Sequence, residues 1–433
     1  MVKKIFISEA KKNAGEMVVL SGWVYNKRSS GGVIFLQIRD GSGFMQTTFA
    51  KGEVSDEVFD QAQKVTLESS VSVSGLIREE KRAESGWELG AKDIEIIQLV
   101  DGEFPIGKKE HGPDFLLSNR HLWIRSKRQY AIIRLRGIIT RAITEFLDKE
   151  GFTRFDAPII TPSACEGTTT LFELDYFGER AFLTQSGQLY LEAAIASLGR
   201  VYDFGPIMRA EKSKTRRHLI EFWMMDAEAA FLEFEENLDL QEDLIKYVVS
   251  SVLDKGKWEL EVLERDKGPL DLIRKSKFLR LTYDEAVEKL KSLGSDIKLG
   301  EDFGNDDETL LMTHYKLPLF VTHFPADFKA FYFKRSKKFR SRVLAADLLA
   351  PEGYGEIIGG GQREDDYSTL LKRMRQLRLP VKDYSWYLDL RKFGSIPHSG
   401  FGLGLERLLA WIGKLTHVRE TIPFPRLLDR FSP

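Results

Sequence analysis

Cationic side chains are concentrated in one segment near the middle of the chain. After Arg209, four further Lys or Arg residues and His218 occur before Phe222. A loop that presents several cations at one point suits a polyphosphate, because guanidinium groups bind its oxygens bidentately. A solvated, charged hairpin is the alternative. The neighbouring aromatic residues Phe222 and Trp223 can stack on a base, and they favour nucleotide binding.

A second segment combines acidic residues with three consecutive glycines. Asp347 and Glu356 precede the glycines at 359–361, and Arg363 follows them. The two carboxylates can bind Mg²⁺, which usually also keeps waters and substrate phosphates. Glycines let the backbone approach a ligand without obstruction by side chains. The alternative is a glycine-rich turn with surface acids.

A third segment leads from a glycine-rich strand into an apolar helix. It runs over residues 394–412 and contains Gly-x-Gly-x-Glu-Arg at 402–407. These glycines do not form a dinucleotide-binding fingerprint, since no βαβ unit surrounds them and no Walker Lys-Ser/Thr follows. Arg407, near the start of the helix, is expected to point back at the preceding sheet.

The elements that would position these residues fall into two kinds. Residues 1–100 contain about five short runs rich in β-branched and aromatic residues, which suits a small barrel such as an OB-fold. A β-sandwich fits the spacing nearly as well. Further on, helical periodicity in Ile132–Phe146 and 235–254, with strand-like runs between and after, indicates an α+β domain on a largely antiparallel sheet. The predicted division is a barrel over 1–103, a Pro- and Gly-containing hinge over 104–125 and a second domain over 126–433.

Composition excludes several classes of protein. The chain has 64 basic and 65 acidic residues, so any nucleic-acid binding must use local patches. Cys165 is the only cysteine, which excludes an internal disulfide. No apolar run reaches about 18 residues and no signal peptide is recognisable, so we expect a cytoplasmic protein without membrane spans.

Taken together, the three segments resemble a known family. Arg-x-Glu at 209–211, Arg-His-x-x-Glu-Phe at 217–222, the acidic glycine-rich segment and Gly-x-Gly-x-Glu-Arg at 402–407 resemble, in this order, motifs 2 and 3 of the class II aminoacyl-tRNA synthetases. Pro158 matches the motif 1 proline, which in the family lies at the dimer interface. The N-terminal barrel matches the anticodon-binding OB-fold of the aspartate/asparagine branch, so the resemblance covers essentially the whole chain and implies a homodimer.

The family activates an amino acid with ATP and transfers it to the 3′ end of tRNA. The carboxylate attacks the α-phosphate, and the reaction depends on positioning and on neutralising charge. The resemblance implies catalytic roles for Arg209 and Arg407. It implies the following nucleotide contacts: Arg209 at the α-phosphate, Glu211 at the adenine end, Arg217 and His218 at the outer phosphates, Phe222 and Arg407 on either side of the adenine, and Asp347 and Glu356 on Mg²⁺.

The resemblance also implies an amino-acid site. The segment from Thr184 to Ala193 is similar to the family's substrate strand and helix. Arg363 is expected to reach the carbonyl of the substrate side chain. The side chains implied around the α-ammonium and carboxylate groups are Glu166, Ser186, Gln188 and Asp226. Ordinary surface polar positions are the alternative for each.

One position separates asparagine from aspartate as the expected substrate. Aspartyl members have Ser-Pro-Gln-Leu-Tyr/Phe-Lys where this chain has Ser-Gly-Gln-Leu-Tyr-Leu-Glu over 186–192, so Leu191 replaces the lysine and Glu192 follows. A carboxamide needs an acceptor for its NH₂ group, whereas a carboxylate would be repelled by one. Glu420 and Thr421 also differ from the aspartyl pattern, and the large insertion of bacterial aspartyl enzymes is absent. We therefore expect asparagine, with tRNA(Asn) as the partner.

Two further sets of alternatives remain at this point. Arg28, Phe35 and Gln46 match positions that contact the anticodon in this branch, although Phe35 could instead belong to the barrel core. The rival functions are an aspartyl enzyme, whether or not it discriminates between tRNAs, a paralogue that makes asparagine, and a regulatory protein on a decayed synthetase scaffold. Such paralogues often lack the barrel.

Overall fold

The structure is a computed structural model that describes residues 2–83, 85–107, 109–163, 165 and 171–433. The chain divides into two compact units, Met1–Gly112 and Pro113–Pro433. Within the described ranges, no helix combines the length and apolar character needed to cross a membrane.

The N-terminal unit is a closed β-barrel. Its sheet has the order β1-β2-β3-β4-β6-β5, and a further pairing of β2 with β5 closes it. The elements are β1 (Lys3–Lys4), a 3₁₀ turn (Ile7–Asn13), β2 (Met17–Ser30), β3 (Val33–Arg39), β4 (Phe44–Ala50), α1 (Asp56–Lys64), β5 (Ser70–Glu79) and β6 (Trp87–Gln98). This closure decides between the two architectures that the strand spacing allowed: the unit is an OB-fold.

Alternation along β3 determines which side chains fill the barrel. Ile34, Leu36 and Ile38 are buried in the core, while Phe35 and Gln37 are only half-buried on the opposite face. Successive side chains of a strand point to opposite faces, so the first set faces the barrel interior and the second set faces outwards. Phe35 is therefore not a core residue, in contrast to the alternative considered from the sequence.

The second unit is built on an eight-stranded sheet with the order β13-β14-β15-β16-β17-β12-β11-β7. Its inner strands pair antiparallel, and only the two outermost pairs are parallel. The strands are β7 (Thr153–Arg154), β8 (Ile160–Thr161), β9 (Glu173–Tyr176), β10 (Glu179–Leu183), β11 (Arg200–Met208), β12 (Glu221–Ala230), β13 (Leu279–Thr282), β14 (Leu319–Thr322), β15 (Ala345–Ala350), β16 (Gly355–Gln362) and β17 (His398–Gly404). Strands β8, β10 and β9 form a separate small sheet.

Helices cover the large sheet and supply its main core. They are α2 (Pro113–Ser118), α3 (Arg120–Trp123), α4 (Lys127–Lys149), α5 (Gln188–Leu198), α6 (Phe234–Lys255), α7 (Lys257–Val262), α8 (Gly268–Lys275), α9 (Tyr283–Ser292), α10 (Asn305–His314), α11 (Tyr367–Gln376), α12 (Ser385–Asp389) and α13 (Leu405–Ile412). Short 3₁₀ turns lie at Val381–Tyr384 and Val418–Glu420. The apolar stripes predicted for α4 and α6 are buried together against the sheet.

Helix α4 begins and ends for local reasons. The Ser126 hydroxyl accepts a hydrogen bond from the Gln129 backbone N–H and caps the first turn. Gly151 adopts a φ of 78° just after the last turn. This left-handed conformation is favourable for glycine and ends the helix, as the sequence indicates.

The segment predicted as a hinge over 104–125 is helical in its second half. The reason is Arg120, which is 1% exposed. Its guanidinium donates to the backbone carbonyls of Pro423 at 2.7 Å and Ile422 at 2.8 Å. These contacts hold α2 and α3 on the second unit, and the boundary between the two compact units falls after Gly112, within the predicted range.

Candidate active site

A cleft of about 600 Å³ opens on the face of the large sheet. Its walls come from the loop between β11 and β12, from the glycine-rich strands β16 and β17, and from the start of α13. All seven side chains predicted to contact ATP line this cleft: Arg209, Glu211, Arg217, His218, Phe222, Glu356 and Arg407. Long-range strand pairing thus brings together residues that are almost 200 positions apart.

Strand β12 connects this cleft to a second, more buried site. The side chains at 222, 224, 226 and 228 alternate onto one face of the strand. Phe222 and Met224 line this cleft, whereas Asp226 and Glu228 are buried further along. The strand therefore carries an aromatic and apolar surface at one end and two acids at the other.

Arg209 lies next to the predicted stacking residue. Its guanidinium carbon is 5.6 Å from the centroid of the Phe222 ring, and its Nη1 is 4.0 Å from Glu211 Oε1. Glu211 Oε2 is in turn 3.4 Å from His218 Nε2. Arg209, Glu211 and His218 thus form a chain of polar groups along one wall of the cleft.

The surroundings of His218 favour its neutral form. Burial and the positive charges of Arg407 and Arg209 lower its pKa, against the opposing effect of Glu211. A neutral imidazole can both donate and accept a hydrogen bond.

Arg217 is positioned by an element that the sequence did not link to the nucleotide. Its Nη1 is 3.0 Å from Glu308 Oε2 on α10, and its other amino group donates to the Gly353 carbonyl and the Thr309 hydroxyl. Glu308 also accepts from the backbone N–H of Glu356 at 3.0 Å. Since Arg217 is already well bonded, its predicted contact with outer phosphates requires an exchange of partners and stays a prediction.

Arg407 is held at the mouth of the cleft by Glu356. Its Nη1 lies 3.0 Å from Glu356 Oε2 and 3.1 Å from the Glu356 carbonyl oxygen. The preceding residue, Glu406, is buried, pairs with Arg136 at 2.7 Å and accepts from the Trp223 backbone N–H at 3.1 Å. These contacts fix the first turn of α13, so Arg407 is presented to the cleft from a rigid support.

The two predicted Mg²⁺ ligands lie on adjacent strands. Asp347 on β15 pairs with Gly359 on β16, and a register shift next to Leu348 lets Glu356 face the same side. A Cβ at Gly359 would be 2.9 Å from Glu356 Oε1 and 3.7 Å from Asp347 Oδ1, so both carboxylates converge over this glycine. Glu356 lines the cleft, whereas Asp347 lies just outside the lining.

These residues fit a magnesium ion that is completed by other oxygens. Two carboxylates that converge over a bare glycine suit Mg²⁺, which keeps waters and phosphate oxygens as further ligands. In the described part of the chain there is no group of three or more His, Cys, Asp or Glu that could hold a metal. The remaining ligands of an ion at this position would be waters or phosphate oxygens.

The pKa values of the two carboxyl groups are shifted in opposite directions. Burial and the charge of Glu356 raise the pKa of Asp347 to about 7, although Lys329 opposes this. Burial also disfavours ionised Glu356, but Arg407 and Lys329 outweigh it and lower the pKa of that carboxyl.

The residues predicted for the α-ammonium group are brought together at the buried end of β12. Asp226 accepts hydrogen bonds from the Ser186 hydroxyl at 2.8 Å and the Gly187 backbone N–H at 2.9 Å. The Ser186 hydroxyl also accepts from the Gln188 backbone N–H, at 3.1 Å. Glu166, which was predicted for the same group, lies outside the described residues.

A second acid, Asp203, accompanies Asp226 and was not predicted. The two residues are directly opposite each other on β11 and β12, and Asp203 Oδ1 accepts from the Asp226 backbone N–H at 3.4 Å. Burial and the charge of Asp226 raise the pKa of Asp203 to about 8. A buried acid with a second, half-buried acid beside it is suited to bind a cation such as an ammonium group.

We expect asparagine binding to strengthen as Asp203 ionises. If the ammonium binds the ionised form, affinity should rise about eightfold between about pH 6.5 and 7.5, since the ionised fraction of a group with a pKa of about 8 grows by that factor. Titration calorimetry with asparagine across this range measures the slope. Asp203→Asn should flatten the profile, and an equal slope in that variant would contradict the role.

Arg363, predicted to read the substrate side chain, is paired with a residue that the sequence analysis missed. Its Nη2 lies 2.5 Å from Glu228 Oε1, and its Nε lies 3.1 Å from the same oxygen. Arg363 Nη1 is buried and has no hydrogen-bond partner among the residues that the structure describes. The pair therefore fixes the guanidinium and leaves one donor group for a ligand.

The sequence does contain a pattern from which Glu228 could have been identified. It follows Asp226 by two positions on an apolar strand, so both acids must lie on one buried face. A Cβ at Gly400 on β17 would be 2.1 Å from Glu228 Cδ, so the glycine-rich strand makes room for this acid. Burial and Glu192 raise the pKa of Glu228 to about 7, while Arg363 opposes the shift.

Glu192 is buried in a polar network and is not a surface residue of α5. Its Oε2 lies 2.5 Å from Arg391 Nη2 and 3.0 Å from His398 Nε2, and the Tyr387 hydroxyl donates to it at 2.8 Å. Gln188 Nε2 donates to Oε1 at 3.0 Å. Although burial disfavours its charge, Arg391 and His398 lower the pKa of Glu192, so it carries a negative charge close to Arg363.

The barrel brings its three predicted residues together as well. Arg28 donates to Gln46 Oε1 at 2.8 Å, and its guanidinium carbon lies 4.4 Å above the centroid of the Phe35 ring. Gln46 donates in turn to Glu88 at 2.9 Å. All three predicted residues line one open cavity on the outer face of the barrel, together with Asn26, Gln37, Phe44 and Arg82.

Comparison with known proteins agrees with this arrangement. Residues 112–428 match the family described as tRNA synthetases class II (D, K and N), and residues 18–97 match the OB-fold nucleic acid binding domain. The chain belongs to the class II tRNA synthetases for aspartate, lysine and asparagine. The predicted family and fold class are therefore confirmed.

Its similar relatives within this family are asparagine–tRNA ligases. The chain is 53% identical to the asparagine–tRNA ligase of Pelotomaculum thermopropionicum, with 100% of both chains covered, and 54% identical to that of Desulforamulus reducens, with 98% of both covered. It is also similar to the crystal structure of asparaginyl-tRNA synthetase from Pyrococcus horikoshii complexed with asparaginyl-adenylate, at 44% identity, a TM-score of 0.96 and full coverage of both chains. These full-length matches confirm the prediction that, within the aspartate/asparagine branch, the chain is of the asparaginyl type.

Proposed function

We propose that this chain activates asparagine with ATP to asparaginyl-adenylate and transfers the asparaginyl group to tRNA(Asn). The observation that carries the proposal is the continuous face of β12. It links the nucleotide cleft at Phe222 to the acids at Asp226 and Glu228, so a bound amino acid and a bound ATP would meet on this strand. The Pyrococcus horikoshii relative was solved with asparaginyl-adenylate, a ligand of this composition.

The amino-acid end supports binding of asparagine in one orientation. Asp226, with Asp203 beside it, provides negative charge for the α-ammonium group. Arg363 offers its buried Nη1 to the side-chain carbonyl oxygen. The ionised carboxylate of Glu192 disfavours a second negative charge at this position, which discriminates against aspartate.

The nucleotide end supports in-line attack on the α-phosphate. Arg209 and Arg407 both place positive charge in the cleft, and Phe222 offers a ring for stacking on the adenine. Asp347 and Glu356 would hold Mg²⁺, which supplies charge neutralisation on the phosphates when bound. The protein groups need only position the reactants and stabilise charge that develops on pyrophosphate.

A direct test is tRNA charging with radiolabelled asparagine. We expect ATP-dependent incorporation into acid-precipitable tRNA that carries the asparagine anticodon, with AMP as the nucleotide product. A protein that makes free asparagine from aspartate would instead consume ATP and aspartate without charging any tRNA. The barrel over residues 18–97 favours the first outcome.

The barrel cavity is the proposed site for the anticodon. Phe35 is expected to stack on a base, so Phe35→Ala should weaken tRNA recognition by about 1–3 kcal/mol, measured as kcat/KM for tRNA. ATP–pyrophosphate exchange should not change, because adenylate formation involves the second unit. Trp23→Ala is a matched control, since Trp23 is an exposed aromatic residue of the same barrel outside the cavity. Equal slowing of exchange would show that Phe35 serves folding and not recognition.

We also propose that two copies of the chain associate. Exposed apolar side chains cluster at the small sheet next to Pro158, namely Ile159, Ile160, Tyr176 and Phe177. Light scattering at micromolar concentration should therefore give about twice the chain mass of 49.6 kDa. Replacing Ile160 and Phe177 together by serine should shift the mass towards the monomer, and an active wild-type monomer would contradict the proposal.

A further inference from the structure

Lys329 makes contact with only one of the two acids over Gly359. Its Nζ lies 2.7 Å from Asp347 Oδ2, whereas Glu356 is paired instead with Arg407. Asp347 Oδ1 is the oxygen that faces Gly359 and, across it, Glu356. One oxygen of Asp347 is thus paired with Lys329. The other faces the position where a cation would contact the carboxylates of both Asp347 and Glu356.

The lysine is firmly held in this position. Its Nζ also lies 3.9 Å from the centroid of the Phe324 ring, which is fully buried. The Lys329 side chain is 17% exposed and that of Asp347 is 18% exposed, so the pair is largely shielded from water. An aromatic face and a carboxylate together restrain the ammonium group.

Lys329 is not among the side chains that line the cleft. Arg407 and Glu356 are lining residues, but Lys329 and Asp347 are not. Its ammonium group therefore contacts the acid pair at Asp347, the acid that the cleft lining does not include. This position differs from that of Arg209 and Arg407, whose charges face the cleft directly.

We propose that Lys329 acts as a built-in counter-cation that prevents Asp347 and Glu356 from binding a divalent cation before ATP is present. With Lys329 in place, the acid pair carries too little net negative charge to hold Mg²⁺ alone. Phosphate oxygens add the missing negative charge, so the ion enters together with the nucleotide. Lys329 is thus a positioning residue that sets the order of binding.

The test uses Mn²⁺ as the probe and measures its binding to the nucleotide-free protein by electron paramagnetic resonance. Lys329→Met should bind Mn²⁺ at least about tenfold more tightly than the wild type, because a unit charge next to the site has been removed. Lys329→Arg should behave like the wild type. The gain should vanish in the double variant Lys329→Met with Asp347→Asn.

Lys334→Met is the matched control. Lys334 lies on the same segment and forms a comparable partly buried pair with Asp365, which is not one of the two acids. The proposal is overturned if Lys329→Met binds Mn²⁺ no more tightly than the wild type, or if Lys334→Met gains as much. Weaker binding of ATP in EDTA, with unchanged Mn²⁺ binding, would assign Lys329 to the triphosphate and would also overturn it.

Replacing Lys329 also leaves the neighbouring carboxylates of Asp347 and Glu356 without its positive charge, which affects the stability of the variant. Thermal unfolding is therefore measured as well. The rise in thermal midpoint on addition of Mn²⁺ should be larger for Lys329→Gln than for the wild type. The inference rests on the proposed function of the cleft. Asparagine-dependent exchange is therefore measured on the wild type in parallel: its absence would count against the function, whereas unchanged Mn²⁺ binding in the variants counts against Lys329.

Discussion

Replacing Arg407 by alanine is expected to lower the rate of asparagine-dependent ATP–pyrophosphate exchange by about 10²–10³-fold, by analogy with the loss of one donor to a developing oxyanion. Arg407 is presented to the cleft from a rigid first turn of α13, with its Nη1 3.0 Å from Glu356. Its guanidinium therefore needs no reorganisation as charge builds up on the phosphates. Arg209→Ala should have an effect of the same size.

Controls separate this role from a general effect on folding. Arg407→Lys keeps a charge but loses the planar fork, and it should recover only part of the activity. Arg274→Ala removes an arginine that pairs with Asp271 within α8, away from the cleft, and should leave exchange unchanged. A folded Arg407→Ala protein with near wild-type exchange would contradict the role of this residue.

The second large effect is expected on amino-acid specificity. Glu192 is buried and charged, and it acts on the same site as the pair Arg363–Glu228. Sites built to match a donor–acceptor pattern separate substrates by about 10⁴–10⁵, because the wrong substrate leaves buried polar groups unpaired. Glu192→Gln keeps the shape and removes the charge. We therefore expect weaker activation of asparagine and a smaller preference over aspartate, with little change in the affinity for ATP.

The hydrogen bonds that Glu192 accepts provide a control for this experiment. Because its oxygens already accept hydrogen bonds from Tyr387, Arg391 and Gln188, Glu192 is expected to act through its charge and through the position of Gln188. Tyr387→Phe removes one of these bonds and keeps the charge, so it should retain most of the preference for asparagine. kcat/KM for both amino acids measures the ratio. An unchanged ratio in Glu192→Gln would exclude Glu192 from discrimination.

Much of this site could be predicted from the sequence, because the residues that line the cleft lie in short local patterns. Arg209, Phe222 and Arg407 occur in such patterns, and the strand–loop–strand and strand–helix units around them fold as expected. The apolar periodicity of α4 and α6 likewise predicted the core on which the sheet rests. Local pattern therefore determines which residues face the cleft.

The hydrogen-bond partners of Arg217 and Glu192 could not be predicted, since they come from distant parts of the chain. Glu308 binds Arg217 across 91 positions, and Arg391 binds Glu192 across 199. Lys329 and Glu308 belong to a segment without a recognisable motif. Such contacts depend on how α10 and the segment before β15 pack on the sheet, and strand or helix periodicity contains no information about them.

The central claim is that this cleft makes an adenylate of asparagine, and ATP–pyrophosphate exchange with a panel of amino acids tests it most directly. Purified wild-type protein is assayed with asparagine, aspartate and lysine, the three substrates of the family. The structure predicts rapid, Mg²⁺-dependent exchange with asparagine and exchange with aspartate that is lower by several orders of magnitude in kcat/KM. Exchange that is equally fast with aspartate, or absent with asparagine, would contradict the account.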